Sequence, residues 1–172
     1  MYRYRSYVWL FAAVMAMQIL LLDNLSLSMW LRPMIFPAVI LLLPIEWRTV
    51  WVLLAAAATG WILDGVTGCQ GLYTASLLPL AMVRPAIIRL TANRGVEQSD
   101  QTELLPSLSR KQLLAYISVS VVLHHALFFA LESMSATLLW YTVAKIAAGS
   151  LLSILLSWLV ASYFMSKISA GQ

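Results

Sequence analysis

The chain has 172 residues, 62% of them hydrophobic and only 10% charged, with a mean hydropathy of +0.85. Soluble domains carry about a quarter charged residues, so eleven Lys plus Arg and seven Asp plus Glu cannot coat a globular surface of this size. This excludes an ordinary cytosolic protein, a disordered chain and a nucleic-acid binder, and leaves an integral membrane protein with a single transmembrane domain over residues 1–172.

Crossing a hydrocarbon core of ~30 Å takes about 20 apolar residues in a helix. The first candidate span covers residues 6–22, ends at Asp23-Asn24 and follows Arg3 and Arg5. Its long core and the lack of a small-residue cleavage site make it a retained span, not a signal peptide. Residues 31–45 follow, punctuated by Pro33, Pro37 and Pro44, and then residues 47–63. The fourth candidate, 71–83, contains Pro79 and stops at Arg84-Pro85. As helices, 31–45 and 71–83 would each reach only about 20 Å. They are either short kinked spans or re-entrant segments shielded by their neighbours. Residues 112–131 form a clean span, and 138–165 form one long enough to tilt or project.

With six spans and an internal N-terminus, the cytoplasmic flanks hold Arg3, Arg5, Arg48, Arg84, Arg89, Arg94, Arg110, Lys111 and Lys167, and the outside holds Arg32. Making both short segments re-entrant moves only Arg48 to the outside. Lys and Arg accumulate on the cytoplasmic side of membrane proteins, so both termini are assigned there and six spans are mildly preferred over four. The net charge of +4 belongs to this bias. Residues 91–111 form the one long polar stretch and read as a solvated cytoplasmic loop. Trp9, Trp30, Trp47, Trp51, Trp61, Trp140 and Trp158 mostly fall near span ends, as interfacial anchors do.

The densest polar cluster is Gly60-Trp61-Ile62-Leu63-Asp64-Gly65-Val66-Thr67-Gly68-Cys69-Gln70-Gly71. One reading is a Gly-rich turn in which Asp64 caps the next helix. The other is an acidic surface facing a pocket or a partner, formed by Gly60, Asp64, Gly65, Gly68 and Gly71. His124 and His125 lie in the middle of the fifth span, with Glu132 near its end. In an antiparallel hairpin Lys145 comes to the depth of His125, so these four residues are expected to form an intramembrane polar network. Adjacent histidines diverge by about 100° on a helix, and Cys69 is the single cysteine, so no metal site is expected. Arg84 and Arg89 are read as basic flanks snorkelling to anionic headgroups.

No zinc-protease His-Glu-x-x-His, nucleophile elbow or phosphate-binding loop is present. Asp64-Gly65 lacks the continuation found in alcohol phosphotransferases of phospholipid synthesis. Asp23 and Asp64 both lie at loop-like ends, unlike an intramembrane aspartyl dyad. No catalytic set and no cofactor is expected.

The element Gly60-x-x-x-Asp64-x-x-x-Gly68-x-x-Gly71 before a short segment, in a chain of this length with a basic start, resembles the rod shape-determining protein MreD family. Phe36-Pro37 through Leu42-Leu43-Pro44, Val83-Arg84-Pro85, and His124-His125 through Phe128-Phe129-Ala130-Leu131-Glu132 are similar to its Bacteroidetes branch. Leu72-Tyr73 stands where that family usually has small residues. The resemblance implies an all-α integral membrane protein of about six transmembrane helices, two of them short and Pro-containing, with a fold like the S components of energy-coupling-factor transporters. It further implies a non-enzymatic scaffold of the bacterial inner membrane that binds MreC within the elongasome, alongside MreB, RodA and a class B penicillin-binding protein. The competing expectation is a substrate-capturing subunit of an energy-coupling-factor vitamin transporter, which docks through a small-residue groove such as Ala12-x-x-x-Ala16 in the first span.

Overall fold

The computed structural model describes residues 2–22, 33–44, 47–91, 108–133 and 139–169. Among these there are six α-helices and no strand. Helix α1 (Tyr2–Ala16) continues as a π-helical stretch, Met17–Leu22; α2 is Pro37–Leu41, α3 Thr49–Thr67, α4 Leu72–Thr91, α5 Arg110–Ser133 and α6 Leu139–Ser169. Helices α3 and α5 and the part of α6 from Thr142 to Phe164 are long and apolar enough to cross a membrane, and Tyr7–Leu22 is a shorter apolar helix.

Local chemistry sets several of the boundaries. Gly68 takes the left-handed conformation (φ 70°) that ends α3, and Gly71 follows at φ 89°, a region that side chains with a Cβ avoid. At the start of α5, the Ser109 amide donates to Gln112 Oε1 (2.9 Å) while the Gln112 amide donates to Ser109 Oγ (3.3 Å). This reciprocal capping box satisfies two amides that the helix itself leaves open. Pro37 opens α2, where its missing N–H is no loss.

Helices α3, α4, α5 and α6 pack in sequence as neighbours. Tyr73 stacks on Phe128 and Arg84 bonds Tyr116, so α4 and α5 are antiparallel. Glu132 meets Lys145 and His125 meets Ser153, so α5 and α6 are antiparallel as well. Tyr7 of α1 contacts Phe164 of α6 edge-to-face at 5.1 Å. The short helix α2 touches all five other helices, and Met34, Ile35, Phe36, Ile40 and Leu41 have no exposed surface.

Two of the expected segments are built differently. Residues 71–83 are not short: α4 has 20 residues and carries Pro79 and Pro85 within it, giving it a length of about 30 Å. Arg84-Pro85 resembles a terminator in sequence, but helix-breaking prolines are tolerated where neighbours protect the backbone. Residues 31–45, by contrast, are not one helical span. Of the described part, only Pro37–Leu41 is helical, and the stretch from Pro33 to Leu43 is buried throughout. The helices at the remaining expected spans begin and end within a few residues of expectation, although α6 reaches 31 residues. Asp23, Asn24 and most of the 91–111 loop lie outside the described residues.

Candidate functional site

Four polar side chains inside the bundle, those of Gln18, Ser153, Arg84 and Tyr116, converge on one object, the buried backbone of residues 33–44. A non-helical segment inside a bundle carries amide and carbonyl groups that must find partners or leave a costly gap. At its start, Gln18 supplies both kinds. The Ile35 amide donates to Gln18 Oε1 (2.9 Å), and Gln18 Nε2 donates to the Pro33 carbonyl (3.4 Å). Gln18 belongs to the π-helical stretch; π turns are rare and often mark functional positions. The Met34 amide donates to Ser153 Oγ at 2.8 Å.

Ser153 in turn lies 3.1 Å from His125 Nε2, and His125 Nδ1 lies 2.9 Å from the Val121 carbonyl. A carbonyl only accepts, so Nδ1 carries a proton, and in the neutral ring Nε2 then accepts from the Ser153 hydroxyl. The relay therefore runs Met34 N–H to Ser153 O–H to His125, and from His125 to Val121 O. Every member is satisfied by protein.

At the other end of the segment, Arg84 Nε donates to the Tyr116 hydroxyl (3.2 Å) and Nη2 to the carbonyls of Leu41 (3.4 Å) and Leu43. The Tyr116 hydroxyl donates to the same Leu41 carbonyl at 3.1 Å. These carbonyls end α2, where the helix dipole is negative and favours a cation. Arg84 is 3% exposed. Its expected reach to headgroups is therefore corrected: the guanidinium turns inward to cap α2. Arg89 is exposed, as are Arg48, Arg110 and Lys111. The antiparallel packing puts these four at the end of the bundle opposite Asp64.

The acidic Gly-rich element forms the α3–α4 hairpin. Asp64 is 8% exposed and accepts from the Tyr73 amide (2.9 Å), the Thr74 amide (3.0 Å) and the Thr74 hydroxyl (2.7 Å). It thus caps α4 across the turn, as the capping reading held. Thr74 is seated between Asp64 and Gly60, where a Cβ built on Gly60 would stand 2.5 Å from the Thr74 Cα. Gly65, Gly68 and Gly71 are exposed, with no atoms within 4 Å of an added Cβ.

The expected four-residue intramembrane network divides. Lys145 Nζ meets Glu132 Oε2 at 3.7 Å and lies 5.7 Å from the centre of the Phe129 ring. His125 pairs instead with Ser153, about 12 Å further along α6 than Lys145. His124 joins neither: it is packed edge-to-face against Phe36, with centroids 5.2 Å apart. The two imidazole planes stand 87° apart, and among the described residues no cluster of three or more His, Cys, Asp or Glu could hold a metal.

Sequence reasoning missed Gln18, Tyr116, Ser153 and Thr74. The available signals were a lone amide in an apolar first span and the spacing Ser150, Ser153, Ser157 and Ala161, which lines one face of α6 with small residues. Tyr116 and Thr74 had no distinguishing local signal.

No family model matches the chain, no curated protein matches it, and no solved structure matches it.

Proposed function

We propose that the protein is a non-enzymatic membrane scaffold or regulator of the elongasome, the machinery of rod-shape peptidoglycan synthesis, acting in the manner of MreD. Its partners in this reading are MreC and, through it, MreB, RodA and a class B penicillin-binding protein. The fold would be of the S-component kind, in the bacterial inner membrane with both termini cytoplasmic. The carrying observation is that each spaced residue of the element behind the resemblance has its own task in the hairpin. Gly60 admits Thr74, Asp64 caps α4, and Gly68 and Gly71 take left-handed turns. Exposed Arg48, Arg89, Arg110 and Lys111 at the opposite end support a cytoplasmic side there, which would turn the hairpin toward the periplasm.

In this reading MreC contacts the exposed surface around Gly65, Val66 and Gln70. Asp64 is internal to the hairpin, so its substitution would test folding more than docking. Gly65 has open space around it, and Gly65→Trp alters the surface while leaving the cap intact. The expected result is loss of co-purification with MreC from a folded variant; unchanged co-purification removes this docking surface. Depletion in the host is expected to abolish cell elongation, and normal rod shape on depletion would overturn the scaffold reading.

A second reading, a capture subunit of an energy-coupling-factor vitamin transporter, is favoured by one observation: Ala12, Ala13 and Ala16 are exposed on α1, open to close helix docking. Depletion that abolishes vitamin uptake while leaving cell shape intact would select it.

A further inference from the structure

Three polar atoms within one turn of α5 have no protein partner: Ser120 Oγ, His124 Nδ1 and His124 Nε2. Both residues have no exposed surface, and their spacing of four puts them on one helical face. The walls are mainly aromatic: Phe36 edge-to-face at 5.2 Å, the His125 ring at 5.9 Å and Phe128 at 6.3 Å. The Ser76 backbone approaches from α4 without reaching hydrogen-bond geometry. Contact with an aromatic ring gives an imidazole nitrogen at most a second-order interaction.

His125, one residue along, has both ring nitrogens engaged. The contrast is chemical as well as geometric, because buried polar groups in folded proteins are almost always paired, with protein or with ordered water. A neutral imidazole presents one donor and one acceptor, and a serine hydroxyl presents both. The matching guest is small, uncharged and able to donate and accept at once. Water is the smallest such guest, and internal waters are held by two to four polar partners.

We propose that Ser120 and His124 form a buried site for a single water molecule. The site does not depend on the elongasome reading.

The chain has two histidines, so solid-state NMR of protein labelled with ¹⁵N-histidine in lipid vesicles resolves each ring, with His125→Asn for assignment. In water-edited spectra the His124 nitrogens are expected to receive magnetisation from water, while those of His125 stay silent. The His125 bonds also report that the variants fold. A silent His124 with the chemical shift of an unbonded nitrogen would overturn the proposal. Ser120→Ala is expected to lose or weaken the His124 signal, and unchanged transfer in that variant removes Ser120 from the site.

Discussion

Arg84 of α4 and Tyr116 of α5 hold each other and the same carbonyl: the guanidinium donates to the phenol at 3.2 Å, and both donate to Leu41 O. A cation within a helix bundle ordinarily pairs with a carboxylate or reaches water. Here it bonds two carbonyls and a phenol.

Arg84→Met should therefore destabilise the protein by about 2–3 kcal/mol, because it strands buried carbonyls that had a charged donor. Tyr116→Phe removes one neutral bond and should cost about 1 kcal/mol. The double variant should lose less than the sum, since the two groups share a partner. Reversible unfolding in detergent micelles measures all three. Wild-type stability in Arg84→Met would mean that the end of α2 needs no cap.

The α3–α4 hairpin gives a paired prediction from two glycines in one helix. Gly60→Ala drives a methyl group into the Thr74 backbone and should cost about 1–3 kcal/mol through forced separation of the helices. Gly65→Ala meets no neighbour and should be neutral or stabilising by up to about 1 kcal/mol, from helix propensity alone. Comparison of the two melting curves decides the matter, and equal effects would contradict the contact.

Asp64→Ala removes the acceptor for two α4 amides and the Thr74 hydroxyl at once. We expect a loss of about 1–2 kcal/mol, as for other helix caps. Amide hydrogen exchange should accelerate at Tyr73 and Thr74 before it does at Leu80. Asp64→Asn should fall between Ala and wild type, since one carboxamide oxygen still accepts while the NH₂ group faces donors.

At the start of the buried segment, Gln18→Leu leaves the Ile35 amide without its acceptor and should cost about 1–3 kcal/mol. Ser153→Ala should cost a similar amount, because it frees both the Met34 amide and His125 Nε2. Ser150 bonds only within its own helix, to Ala147 O, so Ser150→Ala should stay within about 0.5 kcal/mol of wild type. Thermal unfolding in detergent ranks the three.

How much of this was legible beforehand follows from the range of each interaction. The α3 and α5 spans come from runs of apolar residues, and the hairpin from Gly68, Gly71 and a capping Asp64, all local signals. Antiparallel counting brought Glu132 and Lys145 into one expected network but set Lys145 level with His125, whereas Lys145 meets Glu132. His125 was assigned to the wrong partner. The serine it meets is two turns deeper, and which α6 residue meets an α5 residue depends on helix rotation and axial offset, which hydrophobicity does not specify. Arg84 was misplaced for a related reason: a basic residue beside proline looks like a membrane boundary until a second, distant segment offers it carbonyls.

By itself the sequence determined the apolar all-helical class, with helices long enough to cross a membrane, the approximate placement of the long helices and the turn chemistry of the α3–α4 hairpin. These depend on composition, on runs of apolar residues and on glycine's access to positive φ, each a property of neighbouring residues. Only the tertiary structure decided that residues 33–44 are a buried, mostly non-helical element and that Gln18, Ser153, Arg84 and Tyr116 exist to satisfy its backbone. Backbone amides and carbonyls are the same in every sequence. Their need for partners becomes specific only when folding fixes which of them are buried and which side chains stand within about 3 Å.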